Sequence, residues 1–204
     1  MASKYQLVHS SLYLNNSDVP INKLNIEDSN LIHSLENDLL DEAYRVFKSE
    51  LDENTLFNEE YFVDLHKRTF ETLYDWAGKY RGFNMAKGES RFCQGAYVED
   101  EMHKLFEKLI SDIELQNPKD KMEFSKKLAY YKCELIAIHP FPEINGRITR
   151  MFFDMIAYSK GFNFIDYSKI SHKEYIDASI DCVQYADCSS FEQIIYDGLV
   201  FRDE

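Results

Sequence analysis

Apolar residues recur at helical spacing through most of the chain. Ile32, Leu35, Leu39, Ala43 and Val46 share one face of a first amphipathic helix that runs out in the acidic stretch Glu50 to Glu53. Asn58 is placed to cap a second helix, whose apolar face holds Phe62, Leu65, Leu73 and Trp76 and whose stop is Gly78. Val98, Met102, Leu105, Phe106, Leu109 and Ile113 mark a third. Asn117-Pro118 is a start signal for a fourth, along which Phe124, Leu128, Tyr131, Leu135 and Ile138 form one stripe. Ile148, Met151, Phe152, Met155 and Ile156 repeat the pattern up to Gly161, and Ser171-x-x-Glu174 and Ser189-x-x-Glu192 read as capping boxes opening two short terminal helices.

Two stretches break the pattern. Asn15-Asn16-Ser17-Asp18 and Pro20 mark turns in an N-terminal arm. Tyr80 to Cys93 alternates through Phe83 and Met85, turns at Lys87-Gly88-Glu89-Ser90 and returns through Arg91-Phe92-Cys93, the pattern of a small β-hairpin. A lone hairpin is marginal in water, so it is expected to lie against the helices. The prediction is an all-α fold, a helical bundle carrying one hairpin, with an arm over 1–28, a core over 29–170 and terminal helices over 171–204 packed on that core.

Composition narrows the function. Only 7 Gly and 4 Pro in 204 residues favour long helices over a sandwich or barrel. With 23 Lys and Arg against 36 Asp and Glu, the net charge is −13, which excludes a general attraction for nucleic acid or an anionic membrane. Any phosphate site has to be a local arrangement working against that field. Cys93, Cys133, Cys182 and Cys188 lack metal-finger or Cys-x-x-Cys spacing, so free thiols in a reducing compartment are expected. The first residues hold no signal-like apolar run and no segment reaches membrane-spanning length, which makes a cytoplasmic protein the expectation; export by a signal-free route leaves no such trace.

The chemistry concentrates in His139-Pro140-Phe141-Pro142-Glu143-Ile144-Asn145-Gly146-Arg147-Ile148-Thr149-Arg150. Its two prolines forbid a continuous helix and force a joint between the fourth and fifth. Arg147 and Arg150, three apart, share a face of the helix starting near Asn145 or Gly146, where each cation opposes the macrodipole at a cost of roughly 0.3–1 kcal/mol. Their placement makes sense around an anion, held by backbone N–H groups, a permissive Gly146 and two guanidiniums, as in a polyphosphate pocket. Glu143 at its rim repels phosphate unless a divalent cation bridges them, and Mg²⁺ commonly takes one or two carboxylates plus phosphates. His139 is the candidate general base, and Phe141 the inward anchor of the loop. Taken singly, each residue has an ordinary explanation as cap, solvated face or turn; their order and spacing do not.

That order resembles the Fic family signature His-x-Phe-x-(Asp/Glu)-(Ala/Gly)-Asn-(Gly/Lys)-Arg-x-x-Arg at every specified position but Ile144, where the family has Ala or Gly. Leu73 to Arg81 and Lys87 to Cys93 resemble the family's helix end and its β-hairpin flap. The resemblance implies a Fic-type helical bundle and a protein adenylyltransferase, moving AMP from Mg-ATP to a Tyr, Thr or Ser hydroxyl of a target protein. It implies His139 as the base, Glu143 as the Mg²⁺ ligand and Asn145 at the α-phosphate. Gly146 and Arg147 would form the anion hole, Arg150 would meet the γ-phosphate, and Lys87, Gly88 and Phe92 of the flap would dock the target by strand-like pairing. Relatives with Lys in place of Gly146 are associated with phosphate transfer, so Gly favours AMP. The same scaffold admits transfer of another phosphate-containing group, removal of AMP, or a weakly active nucleotide- or partner-binding module. Ile144, a β-branched residue, does not readily adopt φ > 0 and adds bulk beside the phosphates. Ser49-Glu50-Leu51-Asp52-Glu53-Asn54 fits the family's inhibitory (Ser/Thr)-x-x-x-Glu-(Gly/Asn) pattern, with Glu53 expected to pair with Arg150. Failing that, the resemblance implies a small antitoxin-like protein or self-association.

Overall fold

Helices begin where a side chain can accept one of the N–H groups that the first turn leaves unpaired. A computed structural model, which describes residues 6–7, 12–14, 17–115 and 120–202, shows this at four starts. Asp28 accepts from Leu31 N at 2.8 Å ahead of α1 (Ser29–Glu50), and Asn58 from Tyr61 N at 2.8 Å ahead of α2 (Glu59–Phe70). Asp120 accepts from Glu123 N at 3.1 Å before α4 (Lys121–Ile138), and Ser171 with Glu174 closes a capping box on α6 (His172–Tyr185). The remaining helices are α3 (Val98–Leu115), α5 (Asn145–Ser159) and α7 (Ser189–Gly198).

Several boundaries differ from the sequence pattern. The second helix stops at Phe70 instead of running to Gly78. The chain then turns back on α2, so closely that a Cβ at Gly78 (φ +73°) would sit 2.6 Å from Lys67 Cβ. The fourth helix is capped by Asp120, and Asn117-Pro118 lies outside the described residues. Ser189 is the first residue of α7 and makes no capping box; Cys188 holds the cap position without a side-chain bond. Cys133 of α4 and Cys182 of α6 form a disulfide, leaving Cys93 and Cys188 as the free thiols, which corrects the expectation of four. A pairing across 49 residues depends on how α4 packs on α6, which spacing along the chain does not disclose.

The core sits around α4 and α5. Phe124, Leu128 and Leu135 of α4 and Ile148, Phe152 and Met155 of α5 are fully buried, and α4 packs on α3, α5, α6 and α7. Such a helix holds apolar residues nearly all round because it has neighbours nearly all round. The hairpin is shorter than its pattern, β2 (Met85–Lys87) and β3 (Ser90–Arg91), with Gly88 at φ +59° in the turn. A strand of the arm, β1 (Gln6–Leu7), adds to it antiparallel and gives the order β1-β2-β3. None of the described helices is long and apolar enough to cross a membrane.

Candidate active site

The joint between α4 and α5 is fixed one residue at a time. His139 ends α4 in the left-handed region, φ 52°, its N–H donating to Leu135 O at 3.0 Å. The ring is buried, and Nδ1 lies 3.3 Å from Ile136 O. A carbonyl only accepts, so Nδ1 carries the proton and the basic lone pair is on Nε2. Phe92 of the flap stacks on the ring, centroids 3.9 Å apart. Arg81, 2% exposed, ties the flap's root to the end of α4: its guanidinium donates to the carbonyls of His139 (2.7 Å), Ile138 (2.9 Å), Phe83 (2.6 Å) and Cys93 (2.6 Å). The last turn of α4 has no basic residue of its own, so Arg81 supplies from outside the cation that a helix C-terminus favours.

The loop after His139 is clasped from inside. Asn145 accepts from Phe141 N at 2.7 Å and donates to Phe141 O at 2.8 Å, closing the turn with its own amide. Phe141 points inward as expected, fully buried, and stacks on His66 at 3.9 Å. Gly78 N–H donates to His66 Nδ1 at 2.9 Å, so Nε2 carries the proton and donates to Glu143 O at 3.2 Å. Burial holds the His66 imidazole neutral, its pKa lowered to about 3. The Glu143 carboxylate, 4% exposed, accepts from Ile144 N at 3.2 Å through Oε2 and from the Tyr13 hydroxyl of the arm through Oε1.

Helix α5 then begins at a strained residue. Ile144 holds the cap position at φ 67°, buried to 4%, and offers no side-chain bond to the first turn. A Cβ built on Gly146 would meet nothing within 4 Å, so the glycine answers no packing need of the protein and leaves space over the helix start. The two arginines part company. Arg147 donates through Nη2 to Glu36 Oε2 at 2.7 Å, and Glu36, 2% exposed in α1, takes the Tyr74 hydroxyl on its other oxygen at 2.7 Å. Arg150 stacks between Tyr167 and Tyr175, 4.6 and 4.5 Å from their centroids. The expectation that both face one pocket is thus corrected: aromatic faces draw Arg150 toward α6, and the acidic partner of Arg147 is a residue of its own chain.

A cavity of about 350 Å³ opens at this helix start. His139, Glu143, Asn145, Gly146 and Arg147 line it from the joint, Lys87 and Phe92 from the flap, and Tyr175, Ile176 and Ile180 from α6. Arg150 lies behind Tyr175 and is not in the lining, and Gly88 sits at the exposed tip of the hairpin. The suggested inhibitory pair lies elsewhere. Ser49 Oγ donates to Val46 O at 2.7 Å at the exposed end of α1, and Glu53 lines a different cavity, with Leu109, Ile113 and Lys160. Among the described residues no three His, Cys, Asp or Glu side chains cluster as metal ligands. Sequence reading missed Tyr13, Glu36, His66, Tyr74 and Arg81. Each acts through a partner at least 38 residues away, so no local pattern announces it.

Comparison with known proteins gives the chain a family. The Fic/DOC family model matches residues 56–157. A probable protein adenylyltransferase of Sinorhizobium fredii is 32% identical over 177 residues, 87% of this chain and 90% of that protein. The protein adenylyltransferase VbhT of Bartonella schoenbuchensis is 34% identical over 125 residues, 61% of this chain and 26% of its own length. In fold, the chain matches the crystal structure of BepC from Bartonella tribocorum, which has AMPPNP bound, at a TM-score of 0.80 and 22% identity over 94% of this chain and 97% of that one. Signature, joint and matched length agree, and the chain belongs to the Fic/DOC family.

Proposed function

We propose that the protein is a protein adenylyltransferase, which transfers AMP from ATP to a hydroxyl side chain of a target protein. The observation that carries this is the single cavity lined by a base, a carboxylate and an uncapped helix start with its arginine: His139, Glu143, Gly146 and Arg147. The target oxygen attacks the α-phosphorus and its proton passes to His139 Nε2. The bond from that phosphorus to the bridging oxygen breaks, and pyrophosphate leaves. Catalysis of this kind is positioning plus stabilisation of charge on the phosphoryl oxygens. The N–H groups at the start of α5 and the Arg147 guanidinium serve the charge, and Asn145 serves the positioning by holding the loop that carries the α-phosphate. Arg150 reaches a γ-phosphate only by leaving its tyrosines. The donor set fits a hard divalent cation shared with the nucleotide: Glu143 would supply one carboxylate, and phosphate and water oxygens would complete the set. Bound there, Mg²⁺ would offset the charge of the phosphates. The apolar wall of Ile176, Ile180 and Val183 suits the flat face of a nucleobase. The flap, with Lys87, Gly88 and Phe92, holds an extended target segment beside His139.

The test uses α- and γ-labelled ATP with purified protein and candidate acceptors. Label from the α position alone, lost in His139→Ala, is the expected result. Label from the γ position would make the enzyme a kinase and sink the proposal. Nucleotide binding without label would leave a binding module.

A further inference from the structure

The flap has two edges, and the helices of the bundle already take one. β3 lies against α6, where Gln184 Nε2 donates to Ser90 Oγ at 3.2 Å. The other edge belongs to β2, and there β1 of the arm pairs antiparallel, Gln6 opposite Ala86 and Leu7 opposite Met85. Residues 12–14 of the arm lie beside the site. Tyr13 and Met85 are the buried pair of a small apolar cluster, flanked by Leu12, Phe83 and Phe92, that is separate from the main core. From that cluster the Tyr13 hydroxyl donates to Glu143, while Phe92 covers the ring of His139.

We propose that the arm is an intramolecular stand-in for the target. It lays a strand on the one flap edge that the helices leave available and brings a phenol hydroxyl to the carboxylate of the cavity. An extended target segment has to take the same edge and bring its hydroxyl into the same cavity, to His139 beside the Glu143 that Tyr13 occupies. The inference rests on the proposed reading of the site and adds to it a named docking edge, that of β2, and a competitor built into the chain. A target strand pairs with β2 only after β1 leaves, and a hydroxyl reaches the cavity only after Tyr13 leaves. Displacement is feasible because the β1–β2 ladder is two residues long and the cluster beside it holds only two buried side chains among the described residues. A competitor of this kind raises the apparent Kd and KM for the target by the inverse of the fraction of chains with the arm open, and leaves the chemical step alone.

The full-length chain is compared with Gln6→Pro/Leu7→Pro, which removes the β1 backbone donors, and with Tyr13→Phe, which keeps the ring and removes the hydroxyl. The probe is a short peptide alternating Thr and Val about one central Tyr. Its binding is read by fluorescence anisotropy and its modification by label from α-labelled ATP. The double proline chain is expected to bind the peptide about tenfold more tightly, with KM falling by the same factor and kcat within about twofold. Tyr13→Phe shifts KM the same way by a smaller factor. Equal Kd and KM in all three chains would overturn the proposal, and so would weaker binding in the double proline chain, which would make β1 part of the dock. Tighter binding without any label on the peptide supports the stand-in and refutes AMP transfer. Equal labelling in all three chains refutes the stand-in and supports AMP transfer.

Discussion

At the scale of single residues, Ile144 bears the sharpest conflict. Its φ of 67° places a β-branched side chain where L-residues cost about 1–2 kcal/mol, yet its side chain is buried to 4% at the start of α5. Burial and backbone pull in opposite directions, and a pair of substitutions separates them. Ile144→Ala loses the burial and keeps the strain. Ile144→Gly loses the burial and relieves the strain. Both variants should melt below the wild type, since truncating a buried Ile costs about 2–5 kcal/mol. Ile144→Gly is expected to be the more stable of the two by about 1 kcal/mol, the reverse of the ordinary helix order. Urea unfolding measures this directly, and Ala above Gly would mean that the backbone relaxes out of the left-handed region. The arginines carry a related lesson. In sequence, two cations at a helix start are misplaced unless an external polyphosphate sits between them. The structure supplies Glu36 for Arg147 and two tyrosine faces for Arg150.

Among the elements, the long helices were legible, and so were the Asn58 and Ser171 starts and the joint before Asn145, while other junctions were not. Val98, Met102, Leu105, Phe106, Leu109 and Ile113 read as one face and are all buried, because amphipathic spacing is a local property. The second helix ended eight residues early because its end depends on the chain folding back to meet Lys67 and His66, contacts that no local pattern carries. The third strand of the flap is of the same kind, since β1 lies nearly eighty residues from β2 in sequence. At the site, the motif residues were readable in order, while the clasps that hold them, His66 on Glu143 O and Arg81 on four carbonyls, were not. Arg81 shows what such a clasp contributes. A guanidinium presents five donors in a fixed fork, and a lysine ammonium cannot reach carbonyls on both the flap and α4. Arg81→Lys should therefore cost about 3 kcal/mol, given roughly 1.5–3 for each lost charged hydrogen bond and partial compensation by the ammonium. Its signature is regional: amide exchange should rise first at Met85 to Cys93. Uniform loosening across the seven described helices would assign Arg81 a global role instead.

For the whole molecule, two buried groups titrate in opposition. Burial pushes the pKa of His66 from 6.5 down to about 3, so the unfolded chain takes up a proton first. The stability His66 contributes is complete above pH 6.5 and is lost as pH falls toward 3, at about 1.4 kcal/mol per pH unit. Asp154 runs the other way. Burial raises its carboxyl from 3.8 to about 6, against the hydrogen bonds from Tyr44 (2.7 Å) and Ile165 N (3.2 Å) and the charges of Lys132 and Arg150. Here the folded chain takes up the proton first, so its contribution is complete below pH 3.8 and is lost as pH rises through 6. Between pH 6 and 3.8 the two slopes nearly cancel. Asp154→Asn removes one of them. Relative to wild type, the variant should lose about 3 kcal/mol as pH falls from 6 to 3.8, the interval times 1.4 kcal/mol per unit. Surface carboxylates titrate alike in both chains and drop out of the difference. Urea midpoints measured at half-unit steps give the curve, and a constant offset between the two chains would mean that Asp154 does not change charge on folding in this range. The sign matters for function, because Asp154 lies one turn beyond Arg150 on α5 and interacts with its charge. The same titration that holds stability level also changes the field around that arginine. An activity profile that shifts with pH in Asp154→Asn would link the buried carboxyl, through Arg150, to the proposed reaction.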